Sequence, residues 1–298
     1  MKEDKTKTDK GDNQPYGTLY VVATPIGNLE DITLRALKIL KNTGLIAAEN
    51  TNHTRSLCNH YGISVKLTSY NQHNRKSKGP RLIEMLKKGL DIALVTNAGT
   101  PVVSDPGSLL INMAHEEGIR VSPIPGPSAA VTALSVCGLK VDRFIFLGFL
   151  PNKEGKRRKY LKELRHEQRT MIIYEAPHRI RSLLNDLKEA FGDRPIVILR
   201  ELTKIFEEIK RGSISHMLQD MDDDKIKGEF TLILAGDEKD DEKQNETRDI
   251  DIKKRIQKLL RLKKTGAKDI ATRLSSELGI NYRIIYKECL NIMKEMNS

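Results

Sequence analysis

The chain of 298 residues is long enough for two domains of ordinary size. Lys and Arg number 51 against 40 Asp and Glu, and the resulting net charge of +11 attracts phosphate-rich partners. No apolar run approaches the roughly 20 residues that span a bilayer. No apolar segment follows the first lysines either, so we expect a cytoplasmic protein with no membrane partner. The 3 cysteines lie far apart, which argues against a disulfide framework and a Cys-x-x-Cys metal site.

The predicted elements alternate between short β-rich runs and stretches of helical period. Residues 1–16 are polar and are predicted to form a disordered arm. The alternation that follows predicts an N-terminal α/β domain with a parallel sheet over 17–140, and a second α/β domain over 141–236. The predicted strands are 19–22, 45–48, 92–95, 119–122, 144–150, 171–174, 196–199 and 230–234. The predicted helices lie near 33–41, 81–88, 108–117, 155–166 and 180–190, and a further segment of small residues, 128–136, completes the first domain.

The last part of the chain differs from the rest. A polar linker is predicted over 237–250, and a helical module over 251–298. Apolar residues such as Ile256 recur there at helical spacing, with Gly266 and Gly279 as breaks. A helix, a glycine turn and a second basic helix are typical of a helix-turn-helix. The alternative is a helical appendage that only packs on the body of the protein.

Loops rich in glycine and proline follow the predicted strands of the first domain. In an open parallel sheet, ligands bind beyond the carboxyl ends of the strands, where glycine lets the backbone approach the ligand. Each loop alone fits ordinary turn chemistry, but their shared position predicts one binding site. The motifs G-x-G-x-x-G and G-x-x-x-x-G-K-[ST] are absent, which argues against a classical dinucleotide site or a P-loop. The loops are Thr24-Pro-Ile-Gly-Asn-Leu, Asn97-Ala-Gly-Thr-Pro, Ser104-Asp-Pro-Gly and Pro123-Ile-Pro-Gly-Pro-Ser-Ala.

Six longer segments carry a more specific likeness, and in chain order they read TPIGNLEDITLRALKIL, AAENTNHTRSL, NAGTPVVSDPG, PIPGPSAAVTALSVCGL, FLGFLP and YEAPHRI. They resemble the ribosomal RNA small subunit methyltransferase I family of the tetrapyrrole methylase superfamily, over about 17–236. The resemblance implies a two-domain tetrapyrrole-methylase-like fold with parallel or mixed sheets and a small C-terminal helical module. It also implies S-adenosylmethionine as cofactor and 2′-O-ribose methylation of a cytidine in the decoding region of 16S rRNA. The implied partners are 16S rRNA or the small ribosomal subunit and a second copy of the chain, with no metal.

The resemblance further implies which residues surround the cofactor, in a cleft between the two α/β domains. From the first domain they are Pro25, Ile26, Gly27, Asn97, Ala98, Gly99, Thr100, Pro127, Ser128 and Ala129. From the second domain they are Tyr174, Glu201, Leu202 and Glu229.

A ribose hydroxyl is a poor nucleophile while it is protonated, so a nearby base or cation should assist the transfer. The candidates by position are Glu49, His53, Asp105, Glu175, His178, Arg179 and Lys204. Of these, we expect Asp105 and the group of Glu175, His178 and Arg179 to be catalytic. The alternative for His178 and Arg179 is a helix N-terminus that follows Pro177.

Three asparagines depart from the family pattern. The family reads E-D-T-R-H-T where this chain has Asn50 and Asn52, and S-D-A-G-T-P where it has Asn97. If Asn50 and Asn52 replace an ion pair, both charges disappear together and a neutral hydrogen bond can remain. The missing carboxylate at Asn97 weakens the attraction for a sulfonium cation. We therefore predict either a cofactor site formed mainly by backbone, or reduced activity.

Two basic clusters are predicted to contact RNA phosphates, one after the FLGFLP segment and one in the C-terminal module. Each also fits a solvated helix face. The predicted RNA-binding residues are Lys153, Lys156, Arg157, Arg158, Lys159, Lys253, Lys254, Arg255 and Lys268.

Two other functions remain open from the sequence. One is a methyltransferase for a small tetrapyrrole-type molecule, against which the net positive charge and the basic C-terminal module argue. The other is a non-catalytic RNA-binding relative, for which the altered Asn50, Asn52 and Asn97 are the argument.

Overall fold

The computed structural model describes residues 15–221, 226–237, 252–260, 266–278 and 280–297. The chain forms two compact units, Met1–Gly236 and Asp237–Ser298. Most of the predicted arm over 1–16 and of the predicted linker over 237–250 lies outside the described residues. The predicted domain boundary at 140/141 falls inside the first unit and stays a prediction.

Five short strands form a parallel sheet in the first half of the large unit. They are β1 (Leu19–Val22), β2 (Leu45–Ala48), β3 (Leu67–Ser69), β4 (Ile92–Val95) and β5 (Val121–Ile124). Their order across the sheet is β3-β2-β4-β1-β5, and every pair is parallel. β2 and β4 are buried at every position, because apolar clusters lie on both faces of this sheet.

The helices of this half follow the strands: α1 (Leu34–Asn42), α2 (Thr51–His60), α3 (Arg75–Lys87), α4 (Ser108–Glu116) and α5 (Ala129–Cys137). The chain enters α1 through Thr33, whose hydroxyl caps the helix by accepting from the N–H of Ala36 at 3.1 Å. Ala36 and Leu40, one turn apart, are the buried residues of α1.

A second sheet follows, with strands β6 (Phe144–Phe149), β7 (Thr170–Glu175), β8 (Pro195–Arg200), β9 (Glu208–Ser213) and β10 (Phe230–Leu234). Their order is β6-β7-β10-β8-β9; only β6 and β7 run parallel, and the other neighbours are antiparallel. The accompanying helices are α6 (Glu154–Glu163), α7 (Ile180–Phe191) and α8 (Ile214–Gln219). These three helices share a core with one face of the sheet, while Ala130 and Ala133 of α5 pack on the other.

The C-terminal unit contains helix α9 over 252–260, α10 (Ala267–Leu278) and α11 (Tyr282–Asn297). Ile256, Ile270, Leu274 and Ile285 form a separate apolar core with Cys289. The predicted fold class, an α/β protein with parallel and mixed sheets and C-terminal helices, is confirmed. Among the described residues, no helix is both long and apolar enough to cross a membrane.

Two predicted boundaries were displaced by prolines. α3 begins at Arg75 and contains Pro80, whereas the predicted helix began after that proline because proline disfavours helix interiors. β5 is Val121–Ile124 rather than 119–122, and it contains Pro123. β5 lies at the edge of its sheet, where a strand tolerates a residue without an N–H.

Candidate active site

Three loops that follow neighbouring strands meet at one edge of the first sheet. β4, β1 and β5 are adjacent and parallel, so their carboxyl ends lie side by side. Thr24 and Gly99 join the loops after β1 and β4 through two backbone hydrogen bonds, each 2.9 Å long. Thr100 Oγ1 donates to the carbonyl oxygen of Pro127 at 3.2 Å and ties in the loop after β5. The glycine- and proline-rich segments therefore converge.

A cavity of about 390 Å³ lies between these loops and the second sheet. Its size is that of a small-molecule site. Most of the residues predicted to surround the cofactor line it: Ile26, Asn97, Ala98, Gly99, Thr100, Ser128 and Ala129 from the first half, and Tyr174, Leu202 and Glu229 from the second. Two residues predicted to be catalytic, Asp105 and Glu175, line it as well.

The other predicted residues lie behind or beside the cavity wall. Pro25, Gly27, Pro127 and Glu201 belong to the loops that form the wall but do not line the cavity. His178 and Arg179 do not line it either; they belong to a short 3₁₀ helix, Pro177–Arg179, that precedes α7. His178 is exposed.

Two carboxylates flank one hydroxyl in the cavity wall. Glu49 follows β2, and its Oε2 accepts from Thr96 Oγ1 at 2.7 Å and from the N–H of Asn97 at 3.1 Å. Burial raises the pKa of Asp105 to about 6; the Thr96 hydroxyl opposes this shift, and the negative charge of Glu49 adds to it. The Thr96 hydroxyl has a single proton and donates it to Glu49. When Asp105 is protonated it can donate to the Thr96 oxygen; with a pKa of about 6, Asp105 holds this proton in mild acid and is mostly ionised at neutral pH.

Asn97 carries a buried acceptor that the protein leaves open. Its side-chain Oδ1 is buried and has no hydrogen-bond partner among the described residues, although Asn97 lines the cavity. A buried acceptor without a partner costs roughly 1–3 kcal/mol. A ligand with N–H or O–H donors removes this cost. Together with Glu49 and Asp105, Asn97 makes the wall suited to a ligand that is cationic and rich in donors.

Asn50, which stands where the family has Asp, keeps a structural role as a helix cap. Its Oδ1 caps α2 by accepting from the N–H groups of Asn52 at 3.0 Å and His53 at 3.4 Å. Asn and Asp are both good residues for this position. The pair of asparagines therefore keeps a hydrogen bond between the Asn50 side chain and the Asn52 backbone, without any ion pair.

The loop between β4 and α4 is conformationally strained beside the cavity. Val102 has φ of 78° and Ser104 has φ of 66°, a region that residues other than glycine rarely enter and that is least favourable for a β-branched residue such as Val102. Each such residue costs on the order of 1–3 kcal/mol, and strain of this kind concentrates at functional sites. Val103, Ser104 and Asp105 of this loop line the cavity.

Glu175 ends β7 with its side chain fully buried, 3.1 Å from the guanidinium of Arg179. Burial raises the pKa of Glu175, and the N–H of Ala176 and the charge of Arg179 oppose the shift. The Arg179 guanidinium also donates to the carbonyl oxygen of Leu150 at 3.0 Å and to the side chain of Asn152. Arg179 therefore holds the segment between β6 and α6, and its catalytic role stays a prediction.

The loop after β8 presses against the loop after β1. A Cβ on Gly27 would lie 2.5 Å from Lys204 Cγ and 2.7 Å from the carbonyl oxygen of Leu202. The N–H of Asn28 donates to Thr203 Oγ1 at 3.1 Å. Lys204 Nζ lies 2.8 Å from Glu201 Oε1. Close approach of two backbones thus requires glycine at position 27, and the cavity wall is continuous across the two halves.

The predicted RNA-binding residues are exposed, with one exception. Arg157 is only 3% exposed; its Nε donates to Asp186 Oδ2 at 2.6 Å and its guanidinium to Ser182 Oγ at 2.7 Å. The prediction for Arg157 is wrong, because a buried arginine with a paired charge is not available to a phosphate. Its neighbour Arg158 is exposed but also pairs with Asp186, at 2.7 Å.

Sequence reasoning did not select several residues that line the cavity. Glu49 and Thr96 each directly follow a buried strand; Glu49 was among the candidates by position but was not expected to be catalytic, and Thr96 was not selected. Phe149 was predicted to lie in the strand 144–150 and belongs to the FLGFLP segment, but it was not selected as a site residue. If side chains alternated regularly along β6, Phe149 would lie on the face opposite to that of Phe146. The register changes between Phe146 and Gly148, and the sequence pattern does not reveal such a change.

Comparison with known proteins identifies the fold. The family model that matches residues 18–218 is described as "Tetrapyrrole (Corrin/Porphyrin) Methylases". The solved uroporphyrin-III-C-methyltransferase from Thermus thermophilus covers 74% of this chain and 94% of its own, with a TM-score of 0.53 and 20% sequence identity. By its family match, which spans more than half of its length, the chain belongs to the tetrapyrrole methylase family, and the solved structure shows the same fold.

Sequence relatives are more specific. A protein named ribosomal RNA small subunit methyltransferase I from Halalkalibacterium halodurans is 48% identical over 232 residues, which is 78% of this chain and 80% of the relative. The protein of the same name from Bacillus subtilis is 46% identical over 231 residues, 76% of this chain and 79% of the relative. The chain belongs to the ribosomal RNA small subunit methyltransferase I family, as its motifs predicted.

Proposed function

We propose that this protein transfers a methyl group from S-adenosylmethionine to the ribose 2′-oxygen of a cytidine in the decoding region of 16S rRNA. The observation that carries the proposal is the convergence of three loops, after β1, β4 and β5, on one cavity whose wall contains four carboxylates, among them the linked pair Glu49 and Asp105. Family membership supports RNA rather than a tetrapyrrole as the acceptor. The net charge of +11 supports a phosphate-rich substrate.

The cavity wall fits the methyl donor, which when bound supplies an electrophilic methyl group on a positively charged sulfur. The open acceptor of Asn97 suits a donor group of the ligand, and Glu49 offers a carboxylate in the same wall. The backbone of Ala98, Gly99 and Thr100 would approach the ligand closely. Although the carboxylate that the family has at position 97 is missing, Glu49 and Asp105 still place negative charge in this wall, which favours an active enzyme over a non-catalytic relative.

Asp105 is the group best placed to take the proton from the ribose hydroxyl. It lines the cavity, and its pKa of about 6 makes it a base that is ionised, yet still basic, near neutral pH. General bases with such a pKa typically contribute about 10²- to 10⁴-fold to a rate. Burial is the main reason that the pKa of Asp105 is high, and like-charge repulsion from Glu49 adds to it.

The RNA is proposed to bind along two basic surfaces. One consists of Lys153, Lys156 and Lys159 at the start of α6, the helix that follows Phe149 along the chain, and the other of exposed cations in the C-terminal unit, including Lys253 and Lys254. Proposed features that follow from the ribosomal substrate and from the superfamily are action in the cytoplasm and assembly as a homodimer. No metal is proposed; among the described residues no cluster of three or more His, Cys, Asp and Glu side chains could hold one.

The test is methylation of isolated small ribosomal subunits by the purified protein. Subunits from cells that lack the protein should accept one methyl group, which mass spectrometry should locate on the 2′-oxygen of a decoding-region cytidine. Subunits from wild-type cells, already methylated, are the matched control and should accept none.

Two results would contradict the proposal. Transfer to a corrinoid precursor but not to subunits would establish the small-molecule alternative. No calorimetric signal with S-adenosylmethionine at millimolar concentration would establish the non-catalytic alternative.

A further inference from the structure

Phe149 is a large apolar side chain that stays exposed at the edge of the cavity. It ends β6, lines the cavity, and is 58% exposed. Full burial of a phenylalanine is worth about 1.5–3 kcal/mol, so exposure on an ordered strand leaves that stabilisation unused. An isolated exposed apolar residue needs no explanation, but one at the mouth of a binding cavity is placed where a ligand can cover it.

A β-bulge in β6 aims Phe149 at the cavity. Phe146 pairs with Ile172, Gly148 with Ile173 and Phe149 with Tyr174, so Leu147 is the extra residue. Without the bulge, Phe146 and Phe149 would lie on opposite faces of the sheet. The extra residue moves Phe149 to the face of Tyr174, the face of the cavity.

Gly148 makes this bulge possible. Its φ is +61°, and an added Cβ would lie 2.8 Å from Ser104 Oγ in the strained loop. Both the conformation and the contact require glycine.

Neighbouring aromatic rings fix the orientation of Phe149. Its ring meets Tyr174 edge to face, with centroids 5.7 Å apart and planes at 65°. Tyr174 in turn meets Phe146 in the same way, at 5.1 Å and 72°. Edge-to-face pairs of this kind contribute about 0.5–1.5 kcal/mol beyond their buried area. Phe149 is therefore a rigid ring whose surface remains more than half free.

Cations follow Phe149 closely along the chain. Lys153 is the N-cap residue of α6, and Lys156 and Lys159 lie on that helix; all three are exposed. Lys153 is four residues after Phe149 and so lies within about 14 Å of it. Arg179 fixes the segment between them through the carbonyl oxygen of Leu150 and the side chain of Asn152. A ring held by its neighbours and followed within a few residues by exposed positive charge suits a single-stranded nucleic acid, which offers bases for stacking and phosphates for pairing.

We propose that Phe149 is the platform on which the nucleobase of the acceptor nucleotide stacks, while Lys153, Lys156 and Lys159 contact the flanking phosphates. Stacking holds the base at the cavity mouth and directs its ribose inward. The inference rests on the proposed function, because it takes RNA as the acceptor. It assigns the ring to the acceptor and neither to the methyl donor nor to a second copy of the chain.

The first experiment uses the absence of tryptophan from the natural chain. Phe149→Trp introduces a single fluorescent reporter at the platform. Phe144→Trp is the matched control, because Phe144 begins the same strand, is 47% exposed and does not line the cavity. Each variant is titrated with a short single-stranded RNA that contains the acceptor cytidine, to saturation measured independently by anisotropy. Stacking should quench the emission of the first variant and leave that of the second unchanged.

The second experiment measures kinetics with small subunits. Phe149→Leu removes the aromatic face but keeps an apolar side chain, and KM for the subunits should rise about tenfold with a smaller change in kcat. Phe149→Tyr keeps an aromatic ring and should have the KM of wild type, and Phe144→Leu should leave KM unchanged. The calorimetric affinity for S-adenosylmethionine should stay within about twofold of wild type in all three variants.

Each other outcome overturns the inference. Equal quenching of both variants, or no quenching at saturating RNA, would show that the base does not stack on position 149. Loss of donor affinity in Phe149→Leu assigns the ring to the methyl donor, and emission that depends on protein concentration without RNA assigns it to a second copy. A wild-type protein that methylates no subunits contradicts the proposed function instead, while the fluorescence result still decides whether Phe149 stacks on RNA.

Discussion

Single residues decide the protonation state of the cavity. Asp105 is raised to a pKa of about 6 by burial, with Glu49 as a nearby like charge, and Thr96 links the two carboxylates. The sequence predicted Asp105 because it follows a strand within the Ser-Asp-Pro-Gly segment. Glu49 could be recognised only by its position at the end of a strand, since nothing in its local sequence indicates that it faces a cavity. The partner of Arg157, Asp186, is distant in sequence, so the burial of that arginine could not be predicted.

The pKa of Asp105 has a consequence for stability. A folded-state pKa of about 6, above the ordinary 3.8, means that the native state holds this proton more tightly than the unfolded state. The stabilisation is complete below about pH 4 and is lost as the pH rises through about 6. Asparagine at position 105 does not titrate, so Asp105→Asn does not lose stability as the pH rises. The variant should therefore gain about 1 kcal/mol in free energy of unfolding relative to wild type between about pH 5 and about pH 8, after allowance for solvent screening.

Urea unfolding at several pH values measures this difference, and Asp193 offers a control of opposite sign. The N–H of Ser215 donates to Asp193 Oδ1 at 2.6 Å and holds the pKa of that carboxyl below its usual value. Its contribution is present at neutral pH and lost as the pH falls, so Asp193→Asn should be less stable than wild type at neutral pH. A gap between Asp105→Asn and wild type that does not change with pH would contradict the raised pKa.

At the scale of elements, the bulge in β6 joins the second sheet to the strained loop of the first. Gly148→Ala combines two costs: a positive φ, worth roughly 1–2 kcal/mol for a residue with a side chain, and a contact with Ser104 Oγ at 2.8 Å. We expect this variant to lose stability and, because the loop that carries Asp105 must move, to bind S-adenosylmethionine more weakly. Chemical denaturation and calorimetry measure the two effects.

Substitutions at two other glycines distinguish the cost of the positive φ from the cost of the contact with Ser104. Gly62 has φ of +62° with nothing within 4 Å of an added Cβ, so Gly62→Ala should cost roughly 1–2 kcal/mol and leave donor binding unchanged. Gly155 lies in α6 with open space around it and no positive φ, so Gly155→Ala should stabilise by about 0.5–1 kcal/mol. If Gly148→Ala behaved like Gly62→Ala in both measurements, the contact with Ser104 would have no effect.

The elements that sequence analysis missed have weak local signals. β9 reads Glu-Ile-Lys-Arg-Gly-Ser and lies at the edge of its sheet, where pairing with β8 alone, not an apolar run, defines the strand. β3 has three residues, and α2 is mostly polar because only Thr54, Leu57 and Cys58 are buried. The predicted strands that succeeded, such as Leu45–Ala48 and Ile92–Val95, are central and buried on both faces. Hydrophobic periodicity indicates which side chains are buried, so it does not predict exposed elements at the edge of a sheet.

At the scale of the whole molecule, the C-terminal unit has a core of its own, formed by residues such as Ile256 and Leu274. Its basic surface is the proposed second contact for RNA. Deletion of 250–298 should therefore weaken RNA binding and leave the affinity for S-adenosylmethionine unchanged. The dependence of RNA affinity on salt should also become shallower, by roughly 0.7–0.9 in the log-log slope for each phosphate that the shortened protein no longer neutralises.

Binding measured at several salt concentrations checks this prediction. A full-length variant with alanine at Lys253, Lys254 and Arg255 is the control, because these residues are exposed and the apolar core of the unit is untouched. It should show part of the same change in slope. Equal RNA affinity of the truncated and complete chains at matched salt would show that the unit serves another purpose.

The close fit of Gly27 against Leu202 and Lys204 limits how members of this family can exchange parts. A recombinant that crosses over between the two sheets joins the loop after β1 from one parent to the loop after β8 from another. A parent with a bulkier residue opposite that glycine is expected to produce a chimera in which the loops after β1 and β8 cannot pack together. Successful shuffling therefore has to inherit 24–28 and 201–204 together, although some 175 residues separate Asn28 from Thr203.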